Sequence, residues 1–193
     1  MEDFFKVVFQ KSTGLMGFAF RKEGSPWRER FYQYPGELDK AVAQCKEADS
    51  NGWDCYFVPS LLSKGNSKKE SFKESNVVWV DYDKNESVIW VPEPTILVNT
   101  SDQRYHAYWL LDQPTQDVKL LESANKFLTL HHNGDESGWD ATQLLRVPNT
   151  LSKKRDQPVT ITHLNGHAYD IGSFPKVWDL LRKEVERLFF KHY

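Results

Sequence analysis

The chain has 193 residues, 39% of them hydrophobic, and a formal net charge of −2, which suits one domain or two small lobes sharing a core. Seven Trp, eight Tyr and twelve Phe exclude a disordered or coiled-coil chain, and the near-neutral charge confines any nucleic-acid site to a local basic patch. No apolar run approaches the roughly 20 residues of a membrane helix, the start Met1-Glu2-Asp3-Phe4 is acidic where a signal peptide is basic, and Cys45 and Cys55 cannot make a four-ligand zinc site alone. A soluble, cytoplasmic protein with no membrane partner and two reduced core cysteines is expected.

In chain order, Phe4–Phe9, Gly17–Lys22 and Arg28–Tyr34 read as short strands, punctuated by Gly14, Gly24 and Pro26. A helix is predicted over about Glu37–Ala48, because Leu38, Ala41, Val42 and Cys45 share one face; Asn51-Gly52 stops it. Asp54–Leu61 reads as an apolar strand. A polar loop follows at Ser63–Asn76, carrying Lys64, Lys68, Lys69 and Lys73. The run Val77-Val78-Trp79-Val80 then leads into Asp81-Tyr82-Asp83 as a strand buried on both faces. Thr95–Asn99 and Tyr105–Leu111 form a hairpin around Thr100-Ser101-Asp102-Gln103. A second helix is predicted over about Thr115–Leu130, with Val118, Leu121, Ala124 and Leu128 on one face. Val159–His163 is a further strand, and a last helix runs over about 175–192. Strands and helices mix without βαβ alternation, so the fold class is α+β.

Asp81 and Asp83 are the sharpest chemical feature. Residues i and i+2 of a strand point the same way, so two carboxylates meet at a strand end, and a divalent cation relieves their repulsion. Hard oxygen ligands suit Mg²⁺ or Mn²⁺. The bland alternative is a pair of solvated turn aspartates. Ser101 and Arg104 could present a hydroxyl and a guanidinium to a phosphate, with His106 beside them in a strand-like run. Asp140 is a candidate third carboxylate, or a helix N-cap or turn aspartate; Asp135 competes with it. Arg146, Lys153 and Lys154 could hold a triphosphate, or form a solvated basic face. The loop with Lys64 could clamp phosphates or template, or be plain surface.

Together these segments resemble the archaeo-eukaryotic primase superfamily, especially phage and plasmid primase-polymerases. Val77–Asp83 resembles its first motif, Ser101–Leu111 its second, and Asp140 its third. Leu145-Arg146-Val147-Pro148-Asn149-Thr150-Leu151-Ser152-Lys153-Lys154 resembles the arginine-proline-glycine-threonine, asparagine, lysine signature that follows. Asn149 stands where a glycine is usual, Ser152 where an asparagine is usual, and Arg104 where many relatives carry the motif serine.

The resemblance implies an RRM-like catalytic sheet over about residues 76–175, a smaller N-terminal α/β lobe over about 1–75, and the terminal helix. It implies a nucleotidyltransferase in which Asp81, Asp83 and Asp140 bind two ions roughly 4 Å apart. His106, Ser101, Arg104, Arg146, Lys153, Lys154 and Lys64 would grip the nucleotide. A single-stranded DNA template, dNTPs or NTPs, and a fused or separate helicase would be the partners. The rival readings are a non-catalytic single-stranded-DNA-binding initiator domain and, more weakly, a DxD glycosyltransferase.

Overall fold

The computed structural model describes residues 1–84 and 86–175; beyond Pro175, the expected last helix lies outside the described residues. The N-terminal elements are α1 (Glu2–Phe9), β1 (Gly14–Arg21), β2 (Arg28–Tyr34), α2 (Leu38–Ser50), β3 (Asp54–Phe57) and β4 (Leu61–Leu62). There follow β5 (Phe72–Tyr82), β6 (Ile96–Ser101), β7 (Arg104–Thr115) and α3 (Val118–His131). The chain then forms β8 (Leu145–Arg146), β9 (Leu151–Ser152), β10 (Gln157–Pro158), β11 (Thr160–Leu164) and β12 (Ala168–Tyr169). Among the described residues, no helix is long and apolar enough to cross a membrane.

The segment expected as a first strand is a helix. Phe4, Phe5, Val8 and Phe9 are all buried, and their spacing of one, three and one residues fits a helical face rather than a period of two. Phe4 and Phe5 meet Phe57 edge-on at centroid distances of 5.4 and 5.3 Å, so the turn of α1 plugs the N-terminal half of the core. The predicted strand at residues 54–61 is broken by Pro59, which has no backbone N–H to pair, into β3 and β4. The predicted lysine loop is shorter than expected, because β5 already begins at Phe72. Cys45 and Cys55 are free and buried, as expected.

One sheet path joins both halves in the order β11-β6-β7-β5-β4-β1-β3-β8, with β2 on β1 and β12 on β7. The long strand β5 is the joint. Its first residues pair with β4 through Leu61↔Glu74 and Leu62↔Phe72. After a register shift near Asn76 it pairs antiparallel with β7, setting Asp81 opposite His106 and Tyr82 opposite Tyr105. Val77, Val78, Trp79 and Val80 are fully buried, the two-sided burial their composition predicts.

Beyond Glu74, β5 has a strand on one side only among the described residues. Its other edge is satisfied piece by piece, as buried backbone must be. The Ser75 hydroxyl donates to the Val77 carbonyl. Trp79 N–H donates to Asn125 Oδ1 of α3 at 2.9 Å. Asp135 N–H donates to the Asp81 carbonyl at 2.7 Å. Two glycines let the post-α3 loop lie flat on the strand. A Cβ on Gly134 would stand 2.7 Å from Val80 Cγ1, and one on Gly138 2.9 Å from Asp81 Cβ.

The chain after α3 returns to the N-terminal half: β8 pairs with β3, placing Arg146 opposite Tyr56. The chain near Arg146 thus lies beside a strand that precedes β5 in sequence.

Asn125 is fully buried, and it also donates to the Trp139 carbonyl at 3.2 Å. Asn125→Ala is expected to destabilise the protein by about 1–3 kcal/mol in urea unfolding, the cost of a stranded buried N–H. A loss below about 0.5 kcal/mol, the size of an ordinary surface change, would show that the edge of β5 does not depend on this contact.

Candidate nucleotide and metal site

At the Asp81 end of β5 the strands enclose a pocket of about 130 Å³. Asp81, Asp83, Ser101, Arg104, His106, Arg146 and Lys154 all line it, from four separate stretches of sequence. Strand alternation aims Asp81 and Asp83 into it together. The Asp81↔His106 register brings in the imidazole from the neighbouring strand. The β6–β7 hairpin supplies Ser101 and Arg104 across a two-residue turn, with Gln103 at φ 53°. Tyr56 and Thr100 also line the pocket, and so does Arg155, the last residue of the basic run. Tyr56 carries no sequence signal; only the β3–β8 pairing shows its place.

Charges are held in place around this pocket. Arg104 Nε lies 2.5 Å from Asp83 Oδ1. Arg146 Nη1 lies 2.5 Å from Asp54 Oδ1, and its guanidinium stacks over the Tyr56 ring at 5.0 Å. Burial, and then the charges of Asp135 and Asp83, push the Asp81 carboxyl up to about 7, against a hydrogen bond from Gln143 and the charge of Arg146. Burial, with Arg146 second, pulls His106 down to about 3, so its imidazole is neutral at physiological pH. Its Nε2 stands 3.5 Å from Asp81 Oδ1, and its Nδ1 is buried without a partner.

Three expected members stand apart. Asp140 is exposed and does not line the pocket. Its Oδ1 accepts from Thr142 N–H at 2.7 Å and from Thr142 Oγ1 at 2.9 Å, the self-contained turn that an Asp-x-Thr sequence favours. Lys153 is turned away, its Nζ 2.7 Å from Asp49 Oδ1. Lys64 is exposed and does not line the pocket; of its loop, Lys69 pairs with Glu122 and Lys73 Nζ donates to the Thr13 carbonyl. Asn149 takes φ 61°, the left-handed backbone that asparagine tolerates best after glycine, so the departure from glycine keeps the turn.

Among the described residues, no three His, Cys, Asp or Glu side chains gather closely enough to hold a metal ion. The expected trio Asp81, Asp83 and Asp140 is therefore not assembled. Asp135 also lies outside the pocket lining, its Oδ1 accepting from Ser137 N–H at 2.9 Å and from Ser137 Oγ at 2.8 Å, but its charge raises the Asp81 carboxyl more than that of Asp83 does. The donors present still fit a divalent cation in kind: two hard oxygen ligands on one pocket wall, one of them disfavoured as an anion until a positive charge joins it.

The Asp81 carboxyl has a pH consequence in the metal-free protein. Its folded-state value of about 7 stands above the ordinary 3.8. Between these the unfolded chain has lost the proton and the folded chain keeps it, so stability falls as pH rises through that window and levels off above it. With chelator present, Asp81→Asn is expected to flatten the decline and to exceed wild type by a few kcal/mol above pH ~7. Parallel wild-type and variant stability profiles across the window would contradict this environment for Asp81.

No protein-family model matches the chain. It is 22% identical over 148 residues to a replication protein of Clostridium perfringens, an alignment covering 67% of this chain and 36% of that protein. The chain thus spans about a third of that relative's length. Among solved structures, it superposes on the AEP domain of the cyanophage S-2L primase-polymerase with a TM-score of 0.67, at 16% identity, over 86% of this chain and 90% of that one. The catalytic domain of primase RepB′ in complex with initiator DNA gives 0.62 at 15% identity, over 94% and 92%. A second structure of RepB′ gives 0.63 at 14%, over 93% and 62%. The mixed α+β architecture and these superpositions show that the chain shares the fold of these primase and primase-polymerase catalytic domains.

Proposed function

We propose that this domain is a DNA primase-polymerase, adding dNTPs or NTPs to a chain directed by a single-stranded DNA template in plasmid or phage replication. The observation that carries the reading is the convergence of Asp81, Asp83, His106, Arg104, Arg146 and Lys154 on one pocket, carboxylates on one side and phosphate-type donors on the other. The names of the structural neighbours, a primase-polymerase and a primase solved with initiator DNA, support it. So does the name of the replication protein. Further parts of a replication machine, a helicase among them, are proposed partners.

Asp81 and Asp83 would hold Mg²⁺ or Mn²⁺, and Asp135, whose backbone N–H is bonded to the Asp81 carbonyl and whose charge bears on that carboxyl, would be the third ligand if an ion drew its side chain in. Bound there, divalent ions would neutralise the triphosphate and favour the attacking hydroxylate. The protein's own part is positioning and charge, for phosphoryl transfer needs no side-chain nucleophile. Asp54 and the Tyr56 ring hold Arg146 in one orientation, leaving its other N–H groups for a phosphate. Neutral His106 presents a hydrogen bond without a second positive charge beside Asp81. Lys154 and Arg155 are exposed at the rim, suited to the outer phosphates.

The decisive experiment supplies primed and unprimed single-stranded templates, labelled dNTPs and Mn²⁺. Wild type is expected to extend or initiate chains, and folded Asp81→Asn and Asp83→Asn proteins to lose that activity. Template binding with no nucleotide addition by wild type would instead establish a DNA-binding initiator module.

The third carboxylate is separable in the same assay. Asp135→Asn is expected to lower nucleotide addition at least tenfold, the effect of removing one charged interaction worth about 1.4 kcal/mol or more, while Asp140→Asn leaves it within twofold. The reverse ranking would return the third ligand to Asp140.

A further inference from the structure

The hairpin between β1 and β2 ends in an exposed loop, and Trp27 at its edge is 49% exposed. It is the one Phe, Trp or Tyr among the described residues whose side chain is exposed rather than buried or half-buried. An exposed tryptophan usually needs no explanation when it stands alone. This one is propped. The Tyr56 ring lies 5.5 Å away at a tilt of 41°, and the Arg21 guanidinium sits 5.6 Å from its centroid.

Trp27 lines a groove of about 770 Å³, shared with Arg21, Lys22, Lys153 and Lys154. Two acidic residues line it against four cations: Asp54 is neutralised by Arg146, and Glu23 is exposed in the hairpin loop. Tyr56 and Lys154 line both this groove and the Asp81–His106 pocket, so one surface runs into the other. The lysine loop expected to serve as a phosphate clamp has Lys69 and Lys73 committed to Glu122 and Thr13. The cationic and aromatic surface adjoining the site is this hairpin groove instead.

We infer that the groove is a track for single-stranded DNA, in which an unpaired base stacks on Trp27 while Arg21, Lys22 and Lys154 meet the phosphates leading to the pocket. A positive groove with a propped aromatic face is the chemistry that binds single strands without regard to sequence. Lys22 is already oriented, its Nζ donating to the Asn51 carbonyl at 3.0 Å. The inference rests on the primase-polymerase reading for the identity of the strand as template, but its binding test does not depend on catalysis.

The test measures fluorescence anisotropy of a labelled mixed-sequence single-stranded oligonucleotide across a salt series, beside binding of Mn²⁺–dATP alone. Trp27→Ala is expected to weaken oligonucleotide affinity roughly tenfold or more, the loss of one base–aromatic stack. Trp27→Phe should recover most of it, and Mn²⁺–dATP affinity should stay unchanged. Arg21→Gln and Lys22→Gln should each flatten the log–log salt slope by about 0.7, which keeps the inference testable if Trp27→Ala folds poorly. Wild-type affinity in Trp27→Ala with unaltered slopes in the charge variants overturns the track and leaves nucleotide addition at Asp81 and Asp83 standing. Failure of wild type to bind the oligonucleotide also overturns it. Weakening of Mn²⁺–dATP binding by Trp27→Ala overturns it in favour of a nucleotide-base platform. A Trp27-dependent affinity in a protein that adds no nucleotides supports the track and removes the polymerase reading.

Discussion

Among the described residues, strand β5 has half of one edge without a strand partner, and much of the molecule answers that need. A buried edge must have its N–H and C=O groups paired, and here three different devices pair them. The Ser75 hydroxyl serves Val77, Asn125 serves Trp79, and the Asp135 N–H serves Asp81. The last two seat α3 and the loop behind it against the strand that ends in Asp81. Gly134 and Gly138 permit the approach because a Cβ at either would overlap Val80, Asp81 or both. The same edge pairing draws the Asp135 charge toward the Asp81 carboxyl, so one demand of backbone hydrogen bonding shapes the electrostatics of the site.

The second tie crosses the molecule. Arg146 arrives on β8, beside β3 of the N-terminal half, and is fixed there by Asp54 and Tyr56. The Asp54 carboxylate also accepts from the Lys153 backbone N–H at 2.9 Å, and Asp49 accepts from Leu151 N–H and from the Lys153 ammonium at 2.9 and 2.7 Å. Two partly buried aspartates of the N-terminal half thus organise the returning chain. This sorts its cations: Arg146 and Lys153 are ion-paired, whereas Lys154 and Arg155 reach the rim exposed. An ion-paired arginine with spare donors positions a ligand, and an exposed lysine attracts one.

Burial gives the pocket its unusual protonation. Asp81 is pushed toward neutrality and His106 is kept neutral, both because a charged form is costly away from water. A cation bound in the pocket would reverse that balance for the carboxylate and link its own binding to proton release at Asp81.

Much was legible in the sequence because its signals are local. Four apolar residues before Asp81-Tyr82-Asp83 specify a strand buried on both faces, and alternation alone turns the two carboxylates the same way. The hairpin around residues 100–103, the helical faces of α2 and α3, and the buried free cysteines follow from periodicity and composition in the same manner. The strand expected at Phe4–Phe9 is a helix because a short apolar run fits either element, and packing of Phe4 and Phe5 on Phe57 decides it. Tertiary structure alone decided the rest. That the loop backbone at Asp135 lies against Asp81 depends on a hydrogen bond between residues more than fifty positions apart, and the place of Tyr56 and Trp27 depends on which strands pair. Local pattern says which way a side chain points along its own element; what stands opposite is determined by long-range pairing, which the order of residues records only through the energy of the whole fold.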